Sequence, residues 1–119
     1  KMVEGARIMN RKNEFISCDV FSDQLLPYFG RIDYSFLSGA FNLGVENQDT
    51  LVLDTLERMF EISNIGIAVN FLSNHADHVE PKEFYVSPGR MFDIIASISR
   101  KLVLRHDYMP HDVTFYVYK

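Results

Sequence analysis

Apolar positions along the chain change their period several times, and each change marks a structural element. In residues 2–11, Met2, Val3, Ala6, Ile8 and Met9 recur at roughly helical spacing, and the polar stretch 10–13 ends the pattern. Residues 14–18 predict a short strand, which Asp19-Val20-Phe21-Ser22 leaves. Residues 25–29, interrupted by Pro27 and closed by Gly30, predict a loop or a short helical turn. Residues 32–38 are rich in β-branched and aromatic side chains, as a strand requires, and Gly39-Ala40-Phe41-Asn42 turns away from it.

The central part gives the clearest helical pattern. Asp49 or Thr50 can cap a helix running to about residue 63, with Val52, Leu56, Met59 and Phe60 on one face. Asn64 is expected to stop it. Ile65-Gly66-Ile67-Ala68-Val69 is a nearly continuous apolar run, the kind that suits a strand covered on both faces. A polar loop over 74–82 leads to a short extended piece at Phe84-Tyr85-Val86. Ser87-Pro88 opens the next helix, since Ser caps well and Pro at the first helical position loses no needed N–H. That helix is expected to reach Arg100, whose charge suits a helix C-terminus. Residues 102–105 and 113–118 then predict two strands joined as an antiparallel hairpin; the second alternates Val113, Phe115 and Val117 against Thr114, Tyr116 and Tyr118. Helices alternating with strands imply an α/β architecture with a mostly parallel sheet that ends in an antiparallel hairpin.

Composition narrows the picture. The 119 residues fit one domain, with 47% hydrophobic and 24% charged residues, ordinary for a soluble globular protein. No apolar run is long enough for a transmembrane helix, and residues 1–10 lack the apolar core and cleavage site of a signal peptide, so the cytoplasm is the simplest location. A net charge of −4 gives no broad attraction to nucleic acid or an anionic membrane. Cys18 is the single cysteine, which excludes an internal disulfide and a cysteine-rich zinc site. Its apolar neighbours point to a buried strand residue rather than a reactive thiol.

In this order the segments resemble a known family. Arg31 through Asn42 is similar to the fourth strand of class I S-adenosylmethionine-dependent methyltransferases and the turn after it. Val69-Asn70-Phe71-Leu72-Ser73 resembles the end of their fifth strand, and residues 102–108 with 111–118 resemble their sixth and seventh strands, the closing hairpin. The opening helix resembles the one after their second strand, and residues 13–19 would be the third strand. The resemblance spans essentially the whole chain and its force lies in the order of the pieces. It implies an incomplete Rossmann-like fold, residues 1–119 forming one partial methyltransferase domain. No pair of the six glycines stands in a G-x-G arrangement, so the family's glycine-rich cofactor loop has no counterpart, nor has the acidic residue that holds the ribose. The chain alone is therefore expected to be inactive, and sheet edges left exposed are expected to favour a homodimer.

Ligands of doubly wound folds lie beyond the C-terminal ends of the parallel strands. Carried onto this chain, the family's cofactor side falls on Asp19 and Val20, after the third strand, and on Ser38, Gly39 and Ala40, after the fourth. Asp19 matches an aspartate that accepts from the adenine amino group, or else it is a turn aspartate. Asn42, Asn70 and Tyr108 are candidates for the acceptor side, with turn geometry the simpler role for both asparagines. His75, Asp77 and His78 invite a metal, but no third strong ligand stands nearby and none is assigned. His106, Asp107, Tyr108, His111 and Asp112 form a second polar cluster. A His–Asp pair there can act as a general base, but a solvated loop with Tyr108 packing back on the sheet is simpler. Ser38-Gly39 is no nucleophile elbow, since the G-x-S-x-G frame is missing.

The resemblance implies methyl transfer from S-adenosylmethionine to a small-molecule acceptor, with neither nucleic acid nor membrane as partner. Two rivals stand beside it. One is a non-catalytic α/β binding or interaction module of the same fold. The other is a flavodoxin-like or receiver-like domain; a receiver wants a Lys near the end of its fifth strand, and none follows Val69 until Lys82.

Overall fold

The computed structural model describes all residues from Lys1 to Lys119. Helix α1 (Met2–Met9) leads through irregular chain and a 3₁₀ turn (Asp23–Tyr28) to strand β1 (Ile32–Leu37). Helix α2 (Gln48–Ile62), strands β2 (Ser63–Ser73) and β3 (Tyr85–Val86), helix α3 (Pro88–Ala96), and strands β4 (Leu102–Arg105) and β5 (Asp112–Tyr118) follow. No helix is long and apolar enough to cross a membrane.

The sheet runs in the order β1-β2-β5-β4, with β3 pairing at the far end of β2. β1 and β2 are parallel, connected by α2. β5 lies antiparallel between β2 and β4, from Gly66↔Tyr118 to Leu72↔Asp112 on one side and from Leu102↔Val117 to Arg105↔Thr114 on the other. The fold is α/β, and its sheet is mixed rather than mostly parallel: β1–β2 and β2–β3 are parallel, β2–β5 and β4–β5 antiparallel.

Alternation decides where the core lies. Ser35 and Leu37 of β1, Ile67, Val69 and Phe71 of β2, and Val113, Phe115 and Val117 of β5 are all buried. Their shared face meets Val52 and Leu56 of α2 and Met91 and Ile95 of α3. Phe71 stacks on Phe41 at 5.5 Å between ring centroids and meets Phe115 edge-on at 6.0 Å. Both helices cover this one face. The other face carries Tyr34, Phe36, Val103 and Tyr118 in the open, with Phe36 75% exposed. The apolar run at 65–69 is thus covered on one side only, and Ile65 is exposed.

Three further expectations are corrected. Residues 14–18 form no strand. A strand exists only by pairing, and no strand of the sheet pairs with this segment; the Phe15 carbonyl instead accepts from the Arg7 guanidinium at 2.6 Å. Cys18 is accordingly half-buried in irregular chain, not a core strand residue. α2 ends at Ile62, within a residue of the expected end, but Asn64 is not its cap: Ser63 is, and the chain passes straight into β2. There Asn64 and Ile65 bulge opposite Asp33, because Ile32 pairs with Ser63 but Tyr34 pairs with Gly66. The bulge is tied by the Asn64 amide, which donates to the Gly30 carbonyl at 3.2 Å and to Asp33 at 3.2 Å.

Helix ends show smaller shifts. The cap of α2 is Asn47, two residues before Asp49 and three before Thr50, in the left-handed region at φ 56. Buried Gln48 holds this entry: its Oε1 accepts from Val45 N–H at 2.8 Å, and its Nε2 donates to the Phe41 carbonyl at 3.3 Å. α3 starts at Pro88 as expected but ends at Ala96, short of Arg100. α1 forms but buries no residue: Val3 and Ala6 of its apolar stripe are half-buried, while Met2, Ile8 and Met9 are exposed.

Candidate functional site

The C-terminal ends of β1 and β2 meet at a shallow hollow of about 260 Å³ on the open face of the sheet. Phe36, Ala68 and Tyr116 pave it; Ser38, Asn70, Tyr108 and Thr114 stand at its polar side. Parallel register brings the ends together, since Leu37 pairs with Val69. Asn70 comes next on β2, and antiparallel pairing places Thr114 directly beside it.

Gly39 makes the corner. It holds φ 65, a left-handed conformation that glycine adopts without steric cost. Its N–H donates to Asn70 Oδ1 at 2.8 Å, so the side chain of β2 fixes the loop leaving β1. The loop continues through Asn42, whose N–H reaches back to the Gly39 carbonyl at 3.4 Å and whose carbonyl accepts from Phe84 N–H at 2.9 Å. Ser38, Gly39 and Ala40 remain exposed. Beside Asn70, the Tyr108 and Thr114 hydroxyls pair at 2.5 Å, which lays the β4–β5 loop back on the sheet.

The structure therefore brings Ser38, Gly39, Ala40, Asn42, Asn70 and Tyr108 to one end of the sheet. Asp19 and Val20 lie elsewhere. The Val20 carbonyl accepts from Arg58 Nε at 3.3 Å, near the C-terminal end of α2. Because α2 runs back from the end of β1 to the start of β2, that is the opposite end of the sheet. The Asp19 carboxylate is engaged locally, accepting from Phe21 N–H at 2.8 Å. The cause is the unformed strand at 14–18: without sheet pairing, nothing carries Asp19 and Val20 to the ligand end. A larger open hollow of about 570 Å³ lies here, between Phe21, the end of α2 and the chain after α3. Its Asp54, Glu57 and Glu61 belong to the solvated side of α2, and only Glu61 has an ion-pair partner, Arg58 at 3.1 Å.

The two histidine clusters, separate in sequence, converge beyond the end of β2. The rings of His75 and His106 stand 5.5 Å apart. Fully buried Ser73 links them: its Oγ accepts from His75 N–H at 3.2 Å and lies 2.9 Å from His106 Nε2. Ser73 N–H also donates to the His111 carbonyl at 2.7 Å. The His–Asp base pair weighed from the sequence does not form. Asp107 instead pairs with Arg105 through two contacts of 3.0 and 3.1 Å, and the guanidinium holds its carboxyl below the usual carboxylate range. Ser73 and Gln48 were not singled out from the sequence. Both are polar residues at element ends whose partners are known only after folding.

No family model matches the chain, and no solved structure matches it. A curated protein does: the chain is 30% identical over 94 residues to "Putative methyltransferase Rv1506c" of Mycobacterium tuberculosis. The match takes in 73% of this chain and 57% of that protein, so the chain spans little more than half the length of its relative. The similarity supports a methyltransferase relationship.

Proposed function

We propose that this chain takes part in S-adenosylmethionine-dependent methyl transfer of class I, to a small-molecule acceptor. The observation that carries the proposal is the sheet order β1-β2-β5-β4, a parallel pair closed by an antiparallel hairpin; the similarity to a methyltransferase points the same way. The cofactor would supply a methyl group on a sulfonium, whose neutral thioether is a good leaving group, so the protein's share is alignment and exclusion of water. Ser38, Gly39 and Ala40 would lie under the cofactor, where Gly39 presents bare backbone held by Asn70. Asn42, Asn70 and the Tyr108–Thr114 hydroxyl pair would face the acceptor.

The fit is to a floor and not to a clasp. No G-x-G loop stands in the sequence, and none of the nine residues lining the hollow is acidic, so no carboxylate there accepts from ribose hydroxyls. The non-catalytic alternative draws its support from that lack. β1 has a free outer edge, and we propose that a second copy of the chain pairs there.

The test is a titration of S-adenosylhomocysteine into the chain, followed by calorimetry and by amide NMR. Calorimetry is expected to show no saturation. NMR is expected to show small shifts centred on Gly39, Ala40 and Asn70. Shifts centred on Asp19 and Val20, or none anywhere, would remove the assigned site.

A further inference from the structure

We propose that His75 and His106 bind one divalent transition-metal ion through their imidazoles, with water completing the coordination. The inference is independent of the methyltransferase reading. β2 ends at Ser73 and β4 at Arg105, so the two histidines leave the sheet from the same end, with their ring centroids 5.5 Å apart. With Zn–N bonds of about 2.0–2.1 Å, two imidazoles on one tetrahedral ion hold their centroids roughly 5–5.5 Å apart. The observed spacing already has the size a shared ion requires.

Anchoring favours the same outcome. Histidine ligands are oriented by a hydrogen bond to the nitrogen that does not bind the metal. Ser73 Oγ provides that bond to His106 Nε2 at 2.9 Å; when Nε2–H donates to it, Nδ1 carries the free lone pair. The same hydroxyl accepts from the His75 backbone N–H at 3.2 Å, which fixes the start of the second arm while its ring stays exposed and adjustable. Electrostatics raise no barrier, since the nearest cation along the chain, Arg105, is already paired with Asp107 at 3.0 Å. No group of three or more His, Cys, Asp or Glu side chains converges on a point. The site is therefore a two-histidine one, and borderline ions that accept nitrogen ligands suit it better than calcium or magnesium.

The experiment is a titration of zinc chloride into the full chain, with the imidazole ¹H–¹⁵N signals of all four histidines observed. Saturable one-to-one uptake, with shifts concentrated on His75 and His106, is expected. His75→Ala and His106→Gln should each weaken uptake at least tenfold. The glutamine keeps a partner for Ser73, and His75 is exposed, so both variants should fold; circular dichroism checks this. Uptake that leaves these two rings unshifted, uptake unchanged in both variants, or no uptake at all would each overturn the assignment.

Discussion

Gly66 offers the sharpest test of the sheet described above, because what its missing side chain would strike is backbone. It follows the bulge of β2 and pairs with Tyr118 at the last rung of the β2–β5 ladder. A Cβ at this position would press into the Val117 carbonyl oxygen, far inside van der Waals distance, and stand 3.3 Å from Tyr118 Cα. Neither atom belongs to a flexible side chain, so Gly66→Ala must push the two strands apart. Such overpacking costs about 1–3 kcal/mol. Loss of glycine's freedom in the unfolded chain returns about 0.4–1 kcal/mol. The net expectation is a destabilisation of about 1–2 kcal/mol, seen as a fall of roughly 0.5–1 M in the urea midpoint. Gly89→Ala in α3 is the control. Nothing lies within 4 Å of its Cβ position, so the helical preference for Ala should stabilise the protein by up to about 1 kcal/mol. Hydrogen exchange adds a local measurement: the Lys119 amide, which donates to the Ile65 carbonyl at 2.9 Å, should lose protection in Gly66→Ala. A midpoint that stays or rises, with Lys119 still protected, would refute the register of β2 against β5.

Other expectations reach different parts of the fold. Phe71→Ala empties the centre of the core, removing a stacked and an edge-on aromatic contact; a loss of about 3–5 kcal/mol in denaturant unfolding is expected. The Tyr28 hydroxyl donates to Glu14 at 2.5 Å, and this bond raises its pKa above the ordinary tyrosine value. Its stabilising effect is therefore complete below that ordinary value and lost as pH rises through the raised one, and Glu14→Gln should bring the Tyr28 ultraviolet titration back down. Sedimentation should find a dimer; a well-folded monomer of the unaltered chain would count against pairing at this edge.

What was legible in the sequence divides along a physical line. Elements whose signal is local came through: the Val52–Leu56 face of α2, Ser87-Pro88 at the start of α3, and the alternation of β5. β1 and the β4–β5 hairpin also form as expected, but features decided by a distant partner alone were not legible. Residues 14–18 have strand-like composition, yet strand formation needs a neighbouring ladder, and no strand pairs with them. Asn64 has the composition of a helix stop, but its amide bridges Gly30 and Asp33 across a bulge. Even the apolar run at 65–69 misled on burial, for a run of side chains cannot say whether one or both faces of its sheet are covered. Ser63 shows the same limit. It reads as a helix-end serine, yet it is fully buried and shares a 2.6 Å hydrogen bond with Ser35 across the β1–β2 pair.

The candidate site follows the same division, and this bears on how its residues should be weighed. Ser38, Gly39, Ala40 and Asn70 follow from one rule, that ligands gather beyond the C-terminal ends of parallel strands. The rule succeeds where strands exist. β1 and β2 are parallel and in register up to Leu37↔Val69, so their next residues must meet. The Asn70 side chain then bonds the Gly39 N–H across the gap between the strands. Asp19 and Val20 satisfy the same rule only if residues 14–18 form a strand, and their distance from the hollow follows from its absence. The Asn70–Gly39 bond thus couples the two halves of the site. Removing the Asn70 side chain would leave Gly39 at φ 65 without its tether and loosen the floor on which the proposed cofactor contact depends.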